Sequence, residues 1–391
     1  MNSIEASERD NPGVVARLLA LVGRVALMFA IPLIAFWVLY RGFLFLRAGD
    51  TPKALITIIA ILWGVGGVAL LYWIFNWLVE SLPKKWTARL QPYVFVGPAM
   101  AILTWYLALP TLRTFWLSLF GRDGPPKLQG GLLNGLSALR EASVGLSNYV
   151  TLFTDRQMWE AIRNNIVFWI LIGVPLTVAF GLLVAVLSDR VRWERLAKSL
   201  IFLPMAISFV GAGVIWNFVY AERPLNQPQI GLLNAIMVTL GGQPQNWPRY
   251  ASIIPWNNVF LVIIMVWLQA GFAMVLFSAA LKGIPGEMLE AARVDGATEV
   301  QVFFRIMIPH IRGTIVTVTT TVVIFTLKIF DVVWVMTGGR FGTEVIATNF
   351  YRTSFTALNR GLGSAIAIIL LIAVIPVMVY NLRQFREREG F

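Results

Sequence analysis

Six stretches of this chain run for more than twenty residues without a charge: Ala54–Val79, Leu90–Leu112, Ile166–Leu187, Ser199–Ala221, Asn257–Leu281 and Gly361–Leu382. A helix of about 20 apolar residues crosses the hydrocarbon layer of a bilayer. Two further stretches have that length but carry charge near one end. They are Val25–Leu46, with Arg41, and Arg312–Met336, with Lys328 and Asp331. Eight spans are therefore expected, in an all-α integral membrane protein. A soluble bundle would need a polar outer face on each helix. With 58% hydrophobic and only 13% charged residues, the chain cannot supply eight such faces.

The first apolar run exceeds a signal h-region and lacks a small-residue cleavage site, so it reads as a retained span. No cysteine is present, which excludes disulfides and thiolate metal sites. A net charge of +12 raises the question of nucleic acid. The basic residues are scattered over the loops, a pattern that suits anionic lipid headgroups rather than a nucleic acid.

Lysine and arginine favour cytoplasmic loops. With both termini inside, segments 1–24, 80–91, 188–199, 282–312 and 383–391 hold 17 of them in 88 residues. The outer segments 41–53, 121–165, 221–257 and 337–360 hold 13 in 119, so the inner assignment is the denser one. This makes a multi-pass protein of the cell membrane with both termini cytoplasmic. The outer connections 121–165 and 221–257 are rich in Gly, Pro, Asn and Gln. "GLSNYVTLFTDRQMWEAIRNN" in the first is expected to form a short amphipathic helix leading into the next span. The stretch "ESLPKKWTARLQP" separates a tail and two-helix extension, 1–89, from a six-helix core, 90–391.

The loop "GEMLEAARVDGATEVQVFFRIMIPHI" is unlike an ordinary connection. Pro285 suits the first position of a helix, where its missing N–H costs nothing. Glu287 and Glu290 then fall in the first turns, where the helix dipole favours acids. Gly296 can take the left-handed conformation that ends a helix. Thr298 to Gln301 reads as a capping box opening a second helix. That helix is expected to present Val302, Phe303, Ile306 and Met307 as an apolar stripe and to stop before Pro309. From these residues two readings stay open: a two-helix knob beneath the membrane, or an amphipathic loop lying on the headgroups.

The residues Glu290-Ala291-Ala292, Gly296 and Ile306-Met307-Ile308-Pro309 reproduce, in spacing, the EAA signature of ABC importer permeases, with Ile308 in place of leucine. "FLPMAISFVGAGVIWNFVY" and "LKIFDVVWVMTGGRFGTEVIATNFYRTSF" also resemble carbohydrate-uptake permeases, most of all the larger permease subunit of the maltose and α-glucoside transporters. The likeness covers roughly residues 90–385. It implies the type I importer permease fold with a coupling loop at 283–310, in which Glu290, Ala291, Ala292, Asp295, Gly296, Ala297 and Pro309 meet an ATPase. It also implies the partners: a second homologous permease, an ATPase dimer carrying ATP and Mg, and an extracytoplasmic sugar-binding protein. A sugar, maltose or another α-glucoside, would cross by alternating access. The maltose permease has a large extracytoplasmic domain, and this chain has only 121–165 in its place.

No G-x-x-x-x-G-K-[ST] phosphate loop is present, so ATP has no recognisable site on this chain and no cofactor is expected here. His310 is the single histidine, which rules out a multi-histidine metal site. With no cysteine and no serine–base pairing in view, the chain reads as a transport subunit and not an enzyme.

By the same resemblance, the positions matching the family's sugar contacts are Met205, Leu268, Gln269, Phe272, Phe325, Thr326 and Ile329. Thr326 and Ile329 stand where the family has asparagines. An amide such as Gln269 inside an uncharged span needs a partner, either a neighbouring helix or a ligand. Lys328 and Asp331 are three apart and are expected on one helix face, roughly 24 Å along from Arg312. There they would form a snorkelling ion pair or line an outer gate. The alternative reading of the whole chain is an ion-coupled secondary transporter, which places titratable residues at mid-membrane. Here six spans carry no charge at all, and the ionisable pair sits near an edge.

Overall fold

The computed structural model describes residues 30–31, 33–47, 52–80, 82, 84–126, 132–189 and 191–389. The N-terminal tail and the start of the Val25–Leu46 span lie outside them. Among the described residues every regular element is a helix, apart from an isolated bridge between Phe120 and Ser143. Contacts divide the chain into two compact units, Met1–Thr111 and Leu112–Phe391.

In the first unit the helix Lys53–Glu80 buries only Gly67, Ile74 and Leu78. Ile74 and Leu78 pack with Ala35 of the preceding helix, and Tyr72 meets Phe95 edge-on at 5.4 Å. Trp105, in the next helix, is 67% exposed, and large apolar side chains point outward on all sides. Water would penalise that surface by about 25 cal/mol per Å². Lipid does not, so the exposure identifies the solvent as a bilayer.

Among the described residues five helices are long and apolar enough to cross: Lys53–Glu80, Lys84–Ser118, Arg156–Ser188, Asn258–Lys282 and Arg360–Arg383. Two bent pairs bring the number to seven if each is one span. The expected single span Ser199–Ala221 is in fact Glu194–Ala206 followed by Phe209–Val219, bent by 105°. Pro204 sits in the tight turn Leu203–Ala206, and Ser208 restarts the helix by accepting from the Gly211 N–H at 3.1 Å. The expected span Arg312–Met336 is also corrected. Its helix ends at Leu327, and another begins at Asp331. Lys328 and Asp331 therefore do not share a helix face, and among the described residues no ion pair joins them.

Among the described residues, three of the four π-helical segments precede a proline by two residues: Thr104–Ala108 before Pro110, Asn165–Gly173 before Pro175, Phe303–Met307 before Pro309. In each, the residue just before proline bonds five residues back: Leu109 to Thr104, Val174 to Trp169, Ile308 to Phe303. Proline removes a donor and crowds the carbonyl four residues back. A widened turn accommodates both defects, and the helix continues.

The helix Asn258–Lys282 is the axis of the second unit, with buried residues on every side from Asn258 to Leu281. Its neighbours approach through glycines. A Cβ on Gly181 would lie 2.4 Å from that of Ala273, and one on Gly271 would lie 2.7 Å from the Ile201 carbonyl oxygen. Small residues let backbones meet where lipid supplies no hydrophobic drive between helices. On Arg312–Leu327, Thr317, Thr320 and Thr321 bond carbonyls four residues back, at 2.8–2.9 Å, so the hydroxyls need no outside partner.

Candidate functional site: a helical knob and a braced far end

Ile284 is buried at the root of the loop, and Pro285 lies just outside the helix Gly286–Val294, one position earlier than expected. The helix closes in a Schellman motif. The Gly296 N–H donates to the Arg293 carbonyl at 3.1 Å, and the Ala297 N–H donates to that of Ala292 at 3.0 Å. Gly296 has φ +82°, and no atom lies within 4 Å of a Cβ placed there. The backbone conformation, not space, selects glycine. The capping box forms as read: Gln301 N–H to Thr298 Oγ1 at 3.3 Å, and Thr298 N–H to Gln301 Oε1 at 2.8 Å. Arg293 Nε donates to Glu299 Oε1 at 2.7 Å and ties the two helices together.

The second helix does not stop before Pro309. It runs Glu299–His310 through the π turn and bends by 69° into Arg312–Leu327. Val302 is buried, with Met307 and Ile308 packed on the core behind it. Glu290, Ala291, Asp295, Gly296 and Pro309 are exposed, and Ala292 and Ala297 half-buried. Val294 (87% exposed), Val300 and Phe304 point away from the chain, outward apolar positions that the sequence reading missed.

Beneath the knob, Lys198 donates to Asp189, to Glu194 at 2.7 Å and to Ser278, and Lys282 donates to Glu194. Ser278 in turn donates to Asp189 at 2.9 Å. This cluster pins the first half of the bent pair to the end of Asn258–Lys282. It was not foreseen, because its members come from three segments.

The matched sugar positions are scattered in burial. Leu268 and Ile329 share one core cluster. Met205 and Phe325 are exposed, and Phe272 is half-buried. Thr326 is buried, its hydroxyl donating to Val323 at 2.9 Å, while Asn165 Nδ2 donates to its carbonyl at 3.3 Å. Gln269 is 5% exposed, and its Oε1 has no hydrogen-bond partner among the described residues. Burying such a carbonyl without a bond costs about 1–3 kcal/mol.

At the far end of the same helices, two Asn-Asn pairs brace one loop. Asn164 Nδ2 donates to the carbonyls of Gly342 and Glu344, both at 2.8 Å. Asn165 Oδ1 accepts from the Ile346 N–H at 2.9 Å. Asn257 Nδ2 donates to the Phe341 carbonyl at 2.7 Å and Asn258 Nδ2 to that of Gly342 at 3.0 Å. Glu344, 1% exposed, accepts from Arg352 at 2.6 Å, Thr348 at 2.8 Å and Gln157 at 3.3 Å. Burial pushes its carboxyl above the ordinary range, while Thr348, Arg352 and Gln157 pull the other way. Phe341 has φ +60°, a left-handed conformation costing a non-glycine residue about 1–2 kcal/mol.

Residues 166–388 match the family described as binding-protein-dependent transport system inner membrane component. The chain is 51% identical over 296 residues to the osmoprotective compounds uptake permease protein of Synechocystis sp., covering 76% of this chain and 99% of that one. It is 42% identical over 350 residues to the alpha-glucoside transport system permease protein of Rhizobium meliloti, covering 85% and 98%. Its fold is that of a chain in the crystal structure of a bacterial ABC transporter that imports the polysaccharide alginate, with TM-score 0.59 and 21% identity over 76% of this chain and 95% of that one. The chain thus belongs to the binding-protein-dependent transport system inner membrane components, as a multi-pass membrane permease with the ABC importer fold.

Proposed function

We propose that this chain is the transmembrane permease subunit of an ATP-driven sugar importer and moves an α-glucoside or maltose-like oligosaccharide inward by alternating access. The observation that carries the reading is the knob: two capped helices set by Gly296, with Val294, Val300 and Phe304 uncovered. In this reading the knob faces the cytoplasm with both termini, and Glu290, Ala291, Ala292, Asp295, Gly296, Ala297 and Pro309 engage an ATPase dimer that holds ATP and Mg. A second homologous permease completes the pathway, and an extracytoplasmic binding protein delivers the sugar. Residues 1–89 form an extension on the core 90–391. The chain performs no chemistry on its substrate.

Gln269, with its unpartnered carbonyl, is the proposed centre of the sugar site, and Met205, Leu268, Phe272, Phe325, Thr326 and Ile329 are the other positions assigned to it by the resemblance. The relative at 51% identity favours a second reading of the cargo alone, a small osmoprotective compound carried by the same mechanism. The test is ATP-dependent uptake by the reconstituted complex with its binding protein, over maltose, trehalose, sucrose and longer α-glucosides. Uptake by this chain alone on a proton or sodium gradient would replace the importer with a secondary transporter. Gln269→Leu is expected to lower uptake roughly tenfold, with ATPase association unchanged. Unaltered uptake would remove the residue from the site.

A further inference from the structure

We propose that the far end of this chain carries a second saccharide subsite, a cleft where aromatic faces and guanidinium groups receive a pyranose before it reaches the broken span. The proposal rests on the sugar-import reading and deepens it. The cleft has a volume of about 600 Å³ and is lined by Arg249, Trp334, Arg340, Phe341, Arg352 and Thr356 among others. That volume is within the range of small-molecule sites.

Its chemistry suits a sugar. The C–H face of a pyranose packs on an aromatic ring, and its hydroxyl oxygens accept from the fixed fork of arginine. Arg249 Nη2 is held by the Met336 carbonyl at 3.0 Å. Arg352 is held by Glu344 and by the Gly338 carbonyl at 2.8 Å. The Arg340 guanidinium makes no hydrogen bond among the described residues, so its donors are open to a ligand. Phe341 is 43% exposed at its left-handed backbone position. Asn257 fixes its carbonyl, and Asn164 and Asn258 both fix the next one. A loop braced this firmly holds a large apolar ring at the surface, where relaxation would otherwise bury it.

The cleft also leads inward. Trp334 stacks on Phe330 at 5.6 Å and 17°, and both rings meet Tyr351, at 4.6 and 5.2 Å. Phe330 directly follows Ile329 at the break in the span, where Phe325 and Thr326 also lie. Transporters form substrate sites at such discontinuous helices. The aromatic group thus joins the cleft to the proposed inner site by a half-exposed surface.

The experiment is saturation-transfer NMR of maltose, sucrose and trehalose on the complete permease–ATPase complex in nanodiscs, without binding protein, beside ATP-dependent uptake with it. Arg340→Gln changes an exposed side chain, and Trp334→Ala removes the inner wall. Both are expected to weaken the saturation-transfer signal roughly five- to tenfold and to raise the half-saturating sugar concentration for uptake. Gln269→Leu is expected to leave the far-end signal in place. Equal signals in wild type and both variants would overturn the subsite. So would a wild type that imports sugar but gives no signal with any of the three. Absence of both signal and import would instead overturn the sugar-import reading itself.

Discussion

The two ends of the second unit are built on opposite terms. At the far end, Asn164, Asn165, Asn257, Asn258, Glu344 and Thr348 are buried, and their hydrogen bonds run to loop backbone and to one another. At the knob end, the helices close their own termini but leave Val294, Val300 and Phe304 outside and rest on partly exposed ion pairs. The first arrangement fastens a loop within one chain, although the Asn257 and Asn258 side-chain oxygens have no partner among the described residues. The second leaves apolar surface for something else to cover. Internal bracing therefore dominates one end of these helices, and uncovered apolar surface the other.

Substitutions at each end test that division, and the largest effect belongs to the far end. Glu344→Ala leaves Arg352 without its buried partner and frees Thr348 and Gln157. It should destabilise the protein by about 3 kcal/mol, read as a lower midpoint of thermal unfolding in detergent. A midpoint within error of wild type would mean the network is ornamental to stability. Asn257→Ala should cost about 2 kcal/mol by unfastening Phe341 from its left-handed conformation. Gly296→Val should cost about 1–2 kcal/mol, with membrane insertion intact, because valine resists φ +82°. Its main effect should appear as lost ATPase pull-down and lost substrate-stimulated hydrolysis, whereas normal coupling would leave the knob merely resting on lipid. Glu299→Gln should leave the unfolding midpoint close to that of wild type, since its ion pair with Arg293 is about half exposed. A large loss there would blur the contrast between the ends.

What was legible in the sequence was local. Uncharged runs gave the spans, and Gly296, Thr298 and Gln301 gave the knob, because caps and turns are set by residues a few positions apart. The breaks were hidden: Ser199–Ala221 stays uncharged across its break, and Lys328 and Asp331, which flank the other break, were read as a pair on one continuous helix face. The π turns were hidden as well, although the prolines at 110, 175 and 309 marked their place. The far-end network was out of reach because the bonds that tie the loop to other helices join residues 84–187 positions apart. One signal for it was present. "RNNIVFW" and "PWNNVFLV" each set an Asn-Asn pair at the mouth of an apolar run, where an amide has no reason to be unless a loop comes down to meet it.

The closure of both knob helices by their own chain bears on kinetics. A segment that folds as it binds loses affinity, because ordering is charged to the encounter. Here the bend at Gly296, the Schellman bonds and the Thr298 box are in place beforehand. In the proposed docking to an ATPase, two rigid shapes would meet, at the roughly 10⁵–10⁷ per molar per second common to such encounters. The heat-capacity change should reflect the covered surface alone, with no contribution from folding.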